Sequence, residues 1–169
     1  MLHILSKRLE LFCKACIAVL FVVMSSSAFL QVVSRFVFNN PLSWTEELSR
    51  YTMIWMTLLG APLGVRYGAH ITVDLVRTIC PAPIQIGLHY LLNACVLAFA
   101  YVFVRYGFVY ASSLFAQISP ALIIPMGAIY MLIPVSGLLM AFFAVVNLAD
   151  LRSGRSHDTD EDLEKLEVN

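Results

Sequence analysis

The chain has 169 residues, of which 60% are hydrophobic and only 13% are charged, and its eleven basic and eleven acidic residues give no net charge. Soluble globular domains carry about 25% charged residues, so this composition excludes a disordered chain, a nucleic-acid-binding protein and almost any water-soluble enzyme of this size. The composition predicts an all-α integral membrane protein, with four transmembrane helices and short amphipathic interfacial segments.

The first predicted elements are a cytoplasmic amphipathic segment over residues 1–14 and a membrane span over residues 15–34. Apolar residues of the segment recur at helical spacing and its basic residues lie off that stripe, which is typical of a helix on the membrane surface. Lys14 and Arg35 enclose twenty uncharged residues, and a helix of that length covers about 30 Å, the thickness of a hydrocarbon core. A cleaved signal peptide over residues 1–28 is the alternative, although its apolar run would be unusually long.

The second predicted span covers residues 43–65. Arg50 and Arg66 enclose only fifteen residues, or about 22 Å of helix, which is too short to cross a bilayer. Ser43 and Glu46 have the spacing of a capping box, in which each side chain binds the backbone amide of the other residue. We therefore expect the helix to begin at Ser43, which lengthens it to about 34 Å.

The third and fourth predicted spans cover residues 84–104 and 120–148. Two prolines precede the third span and a serine-proline pair begins the fourth, and both patterns are typical of helix starts. The fourth span is longer than one bilayer requires, so we expect a bend at Pro134. Residues 106–118 are predicted to be an interfacial segment, and residues 149–169 an acidic cytoplasmic tail.

Basic residues near the membrane are unevenly distributed between the two sides that four spans define. Seven lie on the side of the termini and three on the other side, and an excess of Lys and Arg marks the cytoplasmic side. We therefore expect a multi-pass protein with both termini in the cytoplasm. The seven are Lys7, Arg8, Lys14, Arg66, Arg77, Arg152 and Arg155, and the three are Arg35, Arg50 and Arg105.

Charged side chains near the helix ends are the first candidates for functional residues. Glu46 and Arg50 are four residues apart, as are Arg66 and His70, and also His70 and Asp74. Residues at this spacing share a helix face. The spacing favours salt-bridged helix ends, and proton-relay chemistry is the alternative.

The second span also contains a possible helix-packing motif. Gly60 and Gly64 have the spacing that lets two membrane helices approach closely. Pro62 lies between them, and its missing N–H leaves a backbone carbonyl that a neighbouring helix must cover. The sequence has no phosphate-binding loop, metal-ligand pattern or nucleophile with a base, so we predict no catalytic residue, metal or cofactor. The candidates for partner or structural contacts are Ser43, Trp44, Glu46, Glu47, Arg50, Trp55, Gly60, Gly64, Arg66, His70 and Asp74.

Two stretches of the sequence resemble a known family. The first is Asn40-Pro-Leu-Ser-Trp-Thr-Glu-Glu-Leu-Ser-Arg-Tyr51, followed by Trp55, Leu59-Gly-Ala61 and Val65-Arg-Tyr-Gly-Ala-His-Ile-Thr-Val-Asp74. The second is Pro120-Ala-Leu-Ile-Ile-Pro125, followed by Tyr130 and Ile133-Pro-Val135. Over residues 30–148 the chain resembles the DctQ-like small membrane subunit of TRAP transporters, the tripartite ATP-independent periplasmic systems.

The resemblance implies a bacterial inner-membrane protein that pairs with a large membrane subunit, while a periplasmic substrate-binding protein captures the solute. It implies a non-catalytic scaffold in secondary active transport, the sodium-driven uptake of an organic acid of the C4-dicarboxylate or sialic acid type. No cofactor is expected in this chain, and sodium is expected in the partner subunit. Membrane lipids are further expected partners, and nucleic acid is not.

Two other functions stay open at this point. One is an autonomous small channel or proton-conducting protein. The other is an intramembrane enzyme that uses Glu46, Glu47, His70 and Asp74. The predicted topology argues against the enzyme, because it places the two glutamates on the opposite side of the membrane from His70 and Asp74.

Overall fold

The computed structural model describes the backbone of residues 2–77 and 82–153, and the side chains of residues 4–67 and 87–150. Within these ranges the chain is all-α, as the sequence predicted. The predicted acidic tail falls outside them from residue 154 onward. The helices are α1 (Leu2–Phe36), α2 (Ser43–Arg77), α3 (Ala82–Ser113), α4 (Met126–Tyr130) and α5 (Leu132–Ser153).

Helix α1 is unbroken from Leu2 to Phe36, so no turn separates the predicted surface segment from the predicted first span. No glycine or proline occurs between Leu2 and Phe36, and nothing else interrupts the helical hydrogen bonds where the apolar run begins. Its contact face includes small side chains spaced seven or fourteen residues apart, and small residues let membrane helices approach closely. The buried residues of this face are Ser6, Cys13, Ser27 and Ser34.

Helix α2 begins at Ser43 as predicted, but the predicted capping box does not form. The Ser43 side chain is exposed, and the Glu46 carboxylate accepts a hydrogen bond from Arg50 at 2.9 Å. The first turn is instead closed by Thr45, whose backbone N–H and Oγ1 donate to the Leu42 carbonyl at 3.2 and 2.6 Å. The buried threonine thus binds the carbonyl of the residue before the helix, and it does not supply the amide acceptor expected of Ser43.

The third and fourth predicted spans differ from the structure where they meet. Helix α3 continues to Ser113, so most of the predicted interfacial segment 106–118 is helical. The next helix begins at Met126 rather than at residue 120. Pro120 and Pro125 explain the late start, because a proline disfavours the helical conformation of the residue before it.

The predicted bend in the last span is a break between α4 and α5, at Met131. Pro134 lies three residues later and has no N–H to donate to the Tyr130 carbonyl, and its ring crowds that carbonyl. The break therefore falls about one turn before the proline that the sequence singled out.

The four long segments form an open row rather than a closed bundle. Helix α1 packs mainly on α2, α2 packs also on α5, and α5 packs on α3. The outer helices α1 and α3 are correspondingly exposed. Only 6% of the most apolar stretch of α1 and 17% of that of α3 are buried, whereas 44% of the most apolar stretch of Met126–Asp150 is buried. Both broad sides of the row therefore present apolar side chains outward.

Three helical segments in the described part of the chain are long and apolar enough to cross a membrane. They are Ile4–Phe36, Gly87–Ser113 and Met126–Asp150. Helix α2 is not among them, because its described side chains include Glu46, Glu47, Arg50 and Arg66. The least apolar long helix thus lies inside the row, between α1 and α5.

Candidate functional site

Helix α2 carries all the predicted site residues and lies between two other helices. At its start, Glu47 is buried and holds the loop that precedes α4. One carboxylate oxygen, Oε2, accepts hydrogen bonds from the Ser119 hydroxyl and from the backbone amides of Ala121 and Leu122, the latter two at 3.2 and 3.0 Å. Charge-assisted hydrogen bonds of this kind are stronger than neutral ones. Glu47 therefore clamps the loop onto the first turns of α2.

The clamped loop has a defined conformation of its own. Its two ends are joined where the Met126 amide donates to the Gln117 carbonyl at 2.9 Å and the Ser119 amide donates to the Ile124 carbonyl at 2.9 Å. Ile123 has a positive φ of 55°, which is strained for a β-branched residue. Several surrounding bonds are needed to hold it there.

Two further polar contacts join the middle of α2 to α4 and α5. The Trp55 indole N–H donates to the Ile129 carbonyl at 3.0 Å, next to the break between α4 and α5. The Ser136 hydroxyl donates to the Leu58 carbonyl at 2.6 Å. Leu58 lies four residues before Pro62, so its carbonyl is the one that the proline leaves without a helical donor. The prediction that a neighbouring helix covers this carbonyl is confirmed.

Toward the other end of α2, Arg66 is buried and binds α5. Its Nη1 lies 2.6 Å from Asn147 Oδ1 and 2.9 Å from Asp150 Oδ2. The Asn147 amide nitrogen donates to the Val65 carbonyl at 2.9 Å, so backbone and side chain of α2 are both bound. The next residue, Tyr67, extends the cluster to α1.

The link to α1 is made by a charged pair on that helix. Lys14 Nζ lies 2.8 Å from Glu10 Oε1 and also 5.0 Å from the centre of the Tyr67 ring. The Tyr67 hydroxyl donates to the same Glu10 oxygen. Helices α1, α2 and α5 are therefore joined by adjoining polar contacts at this end of the row.

The remaining predicted site residues lie apart from these clusters. Glu46 and Arg50 form the predicted i,i+4 pair, which is exposed, and such pairs contribute little stability. Trp44 is also partly exposed, at 39%. The side chains of His70 and Asp74 lie outside the described part of the chain.

Gly60 and Gly64 do not mediate a close contact between the described helices. A Cβ atom built on either glycine has nothing within 4 Å. Close contacts at glycines occur elsewhere in the subunit. A Cβ atom on Gly127 would lie 2.6 Å from the Ala111 carbonyl oxygen. A Cβ atom on Gly137 would lie 3.0 Å from the Ala100 carbonyl oxygen. The two glycines of α2 therefore face open space in this subunit.

Seven residues of the polar clusters were not among the predicted site residues: Glu10, Lys14, Tyr67, Ser119, Ser136, Asn147 and Asp150. Asn147 and Asp150 did carry a signal, because they are three residues apart at the end of the last apolar run and so share a helix face. The four predicted spans would make the second and fourth parallel, which would bring Arg66 at the end of one near Asp150 at the end of the other. Ser119 and Ser136 carried no comparable signal.

The arrangement supplies structural contacts rather than a reactive group. Helix α2 is continuous from Ser43 to Arg77, so Glu47 and His70 are about 34 Å apart along its axis. They cannot share an enzymatic site. The buried Glu47 and Arg66 instead bind groups of the same chain, as buried charges must when they are retained in an apolar environment.

Comparison with known proteins places the whole row in one family. The family model for the DctQ component of tripartite ATP-independent periplasmic transporters matches residues 24–154, a range that includes Glu47, Arg66 and Asp150. A putative TRAP transporter small permease protein of Haemophilus influenzae is 29% identical over 146 residues, which cover 86% of this chain and 88% of that protein.

Two further relatives carry more specific names. The C4-dicarboxylate TRAP transporter small permease protein of Vibrio cholerae is 35% identical over 77 residues, covering 46% of this chain and 33% of that protein. The sialic acid TRAP transporter permease protein of Haemophilus influenzae is 25% identical over 139 residues, covering 82% of this chain but only 23% of that longer protein. The chain belongs to the DctQ component family of TRAP transporters, the small permease subunits.

Proposed function

We propose that this subunit is a non-catalytic membrane scaffold for the large transport subunit of a TRAP system in a bacterial inner membrane. The large subunit would carry an organic acid, driven by sodium, after a periplasmic binding protein has delivered the solute. The observation that carries the proposal is the open row of helices, whose buried charges are bound within the chain and whose broad sides are apolar. Such a body offers lateral surface to a membrane partner.

The relatives support a large membrane partner and do not single out a solute, since their names also include isethionate and ectoine. The sialic acid permease protein contains the counterpart of this chain within 23% of its length, so the rest of that polypeptide supplies what this subunit lacks. The names of the relatives include both sialic acid and a C4-dicarboxylate. We propose an organic acid of one of these two types as the transported solute.

The proposed topology has four crossings, with α2 as the least apolar of them. Glu47 and Arg66 are about 28 Å apart along α2, close to the thickness of a hydrocarbon core, so the two polar clusters would lie near opposite membrane surfaces. We expect reporter fusions at Asn40, Gly68 and Asn169 to report the outside, the inside and the inside. A periplasmic signal at Gly68 would contradict this topology and the cytoplasmic placement of both termini.

The open glycines of α2 supply a test of the scaffold surface. Leucine at Gly60 or Gly64 meets no atom of the described residues within 4 Å of its Cβ, so we expect the purified subunit to keep its elution profile and melting temperature. Two helices that pack through small residues are driven apart by a large side chain. We therefore expect these variants to retain several-fold less of the large subunit in co-purification.

The matched control is Gly127→Leu, because that site is closed by the Ala111 carbonyl and the Phe115 ring. Overpacking there should destabilise the isolated subunit by about 1–3 kcal/mol. If Gly60→Leu and Gly64→Leu retain the large subunit as well as the unaltered chain does, this face is not a docking surface.

Reconstitution tests the function itself. The scaffold proposal expects no transport by this chain alone in vesicles, and sodium-dependent uptake when the large subunit and the loaded binding protein are added. Ion or proton conduction by the chain alone would support an autonomous channel instead. Full uptake by the large subunit without this chain would contradict the scaffold role.

A further inference from the structure

Arg105 lies at an unexpected depth in the row of helices. A Cβ atom on Gly107 of α3 would touch Ile133 of α5, and a Cβ atom on Gly137 of α5 would touch Phe103 and Val104 of α3. Arg105 lies between these two contacts along α3. It is therefore level with the α5 residues between Ile133 and Gly137. Ser136, in that interval, donates to the Leu58 carbonyl of α2. Arg105 is therefore level with the middle of α2, although the sequence placed it at the end of a span.

The distance from this level to the polar clusters follows from helix geometry. Glu47 lies eleven residues before Leu58 on α2, and Arg66 lies eight residues after it. At 1.5 Å per residue, the two clusters are about 16 Å and 12 Å away from the level of Arg105. A basic side chain near a helix end reaches the headgroups by extending its stem, but Arg105 is too far from either cluster level for that.

Arg105 also has no counter-charge among the described side chains. It is exposed on the outer helix α3, and no hydrogen bond or ion pair of it is formed within those residues. The four described acidic side chains are engaged elsewhere: Glu10 with Lys14, Glu46 with Arg50, Glu47 with the loop before α4, and Asp150 with Arg66.

The face around Arg105 has the composition of a protein contact. Tyr101 lies four residues earlier, on the same helix face, and is 66% exposed. Tyr106 is 65% exposed and Phe108 is 55% exposed. Arginine and aromatic residues are enriched in protein interfaces, and an ionisable group at membrane depth faces a partner or a cavity rather than lipid.

We propose that Arg105 docks α3 against a helix of the large membrane subunit that carries an aspartate or glutamate at the same depth. This inference rests on the proposed function and names the partner chemistry of that scaffold. The carboxylate neutralises a cation that would otherwise lie in hydrocarbon, and the guanidinium fork binds it through two parallel hydrogen bonds. The Tyr101 ring packs beside this pair.

The test measures how much large subunit co-purifies with tagged variants of this chain. Arg105→Leu removes the charge without adding a lipid-incompatible group, so we expect the isolated subunit to stay at least as stable while the retained large subunit falls by roughly tenfold. Arg105→Glu places two acids together and should lower retention further, whereas Arg105→Lys should recover part of it. Arg35→Leu is the matched control, since Arg35 is exposed at the end of α1.

A second measurement leaves Arg105 in place. A photo-crosslinking residue at Tyr101 should form an adduct with the large subunit, and one at Val22, which is 62% exposed on α1, serves as the comparison on the other outer helix. Substitutions in the large subunit that restore transport to Arg105→Glu should replace one of its acidic residues with a neutral or basic one.

The outcomes separate this inference from the proposed function. Full retention of the large subunit by Arg105→Leu, or lipid adducts alone at Tyr101, would overturn the docking contact while the scaffold role stands. Failure of the unaltered chain to bind the large subunit at all would overturn the scaffold role itself.

Discussion

Replacing Arg66 with alanine is expected to destabilise the isolated subunit by about 3–5 kcal/mol, because it removes the buried guanidinium that binds the buried Asp150 carboxylate and Asn147. Asp150 and Asn147 both accept hydrogen bonds from the same guanidinium nitrogen. The loss should appear as a lower melting temperature and a smaller folded fraction in detergent, measured by size-exclusion chromatography after heating.

Two controls test whether the buried pair, and not positive charge in general, is responsible. Arg50→Ala removes an arginine whose pair with Glu46 is exposed, and we expect a loss below about 1 kcal/mol. Arg66→Met combined with Asp150→Leu removes both buried charges and should recover much of the stability. Equal stability of Arg66→Ala and Arg50→Ala would contradict a stabilising role of the buried pair.

Replacing Glu47 with alanine is expected to release the loop before α4. The substitution removes the acceptor of the buried Ser119 hydroxyl and of the half-buried Ala121 and Leu122 amides, so the two amides become free to exchange with solvent. Hydrogen exchange at the Ala121 and Leu122 amides should become much faster. The peptide covering these residues reports the change by mass spectrometry.

The conservative change Glu47→Gln keeps an oxygen in place and should keep most of this protection, since all three donors bind a single carboxylate oxygen. Glu46→Ala is the neighbouring control, because Glu46 is exposed and binds only Arg50 among the described residues. Unchanged exchange at these two amides in Glu47→Ala would show that the loop holds its conformation without the clamp.

The two clusters together explain why a helix with several charges lies inside an apolar row. Glu47 binds the loop before α4 and Arg66 binds α5, so each end of α2 is attached to the last part of the chain. Between them, the Trp55 indole binds the Ile129 carbonyl, and the Ser136 hydroxyl binds the Leu58 carbonyl, which Pro62 leaves without a helical donor. A row held in this way keeps its shape without a closed core, which is what a rigid lateral support requires.

The sequence alone determined the class of protein, the existence of the long helices and the family. Long uncharged runs indicated three of the long helices, because a bilayer excludes unpaired charges and requires helices of a minimum length, whereas α2 was predicted from its start signal. A local rule also held at Pro62. This residue has no N–H to donate to the Leu58 carbonyl, and a side chain of another helix binds that carbonyl instead. The motif around Trp44 and Glu47 was specific enough to indicate the family by itself.

Tertiary structure decided how these helices use their polar side chains. Spacing along one helix suggested His70 as a neighbour of Arg66, and it could not show that the guanidinium also binds Asp150, which is 84 residues away. The residues from Ser119 to Pro125 form a loop rather than a helix start, and Glu47 of a distant segment holds that loop. Local spacing could not reveal either contact, because both depend on the register between helices.

The same limit applies to the glycines and to Arg105. Glycine spacing predicted close packing at Gly60 and Gly64, but the tight contacts within the subunit form at isolated glycines such as Gly127 and Gly137. Because Arg105 ends an uncharged run, the sequence predicted that it lies at a membrane surface. The packing of α3 against α5 instead puts it level with the middle of α2. Sequence determines which segments enter the membrane, and only the packing of those segments determines the depth and the partner of each side chain.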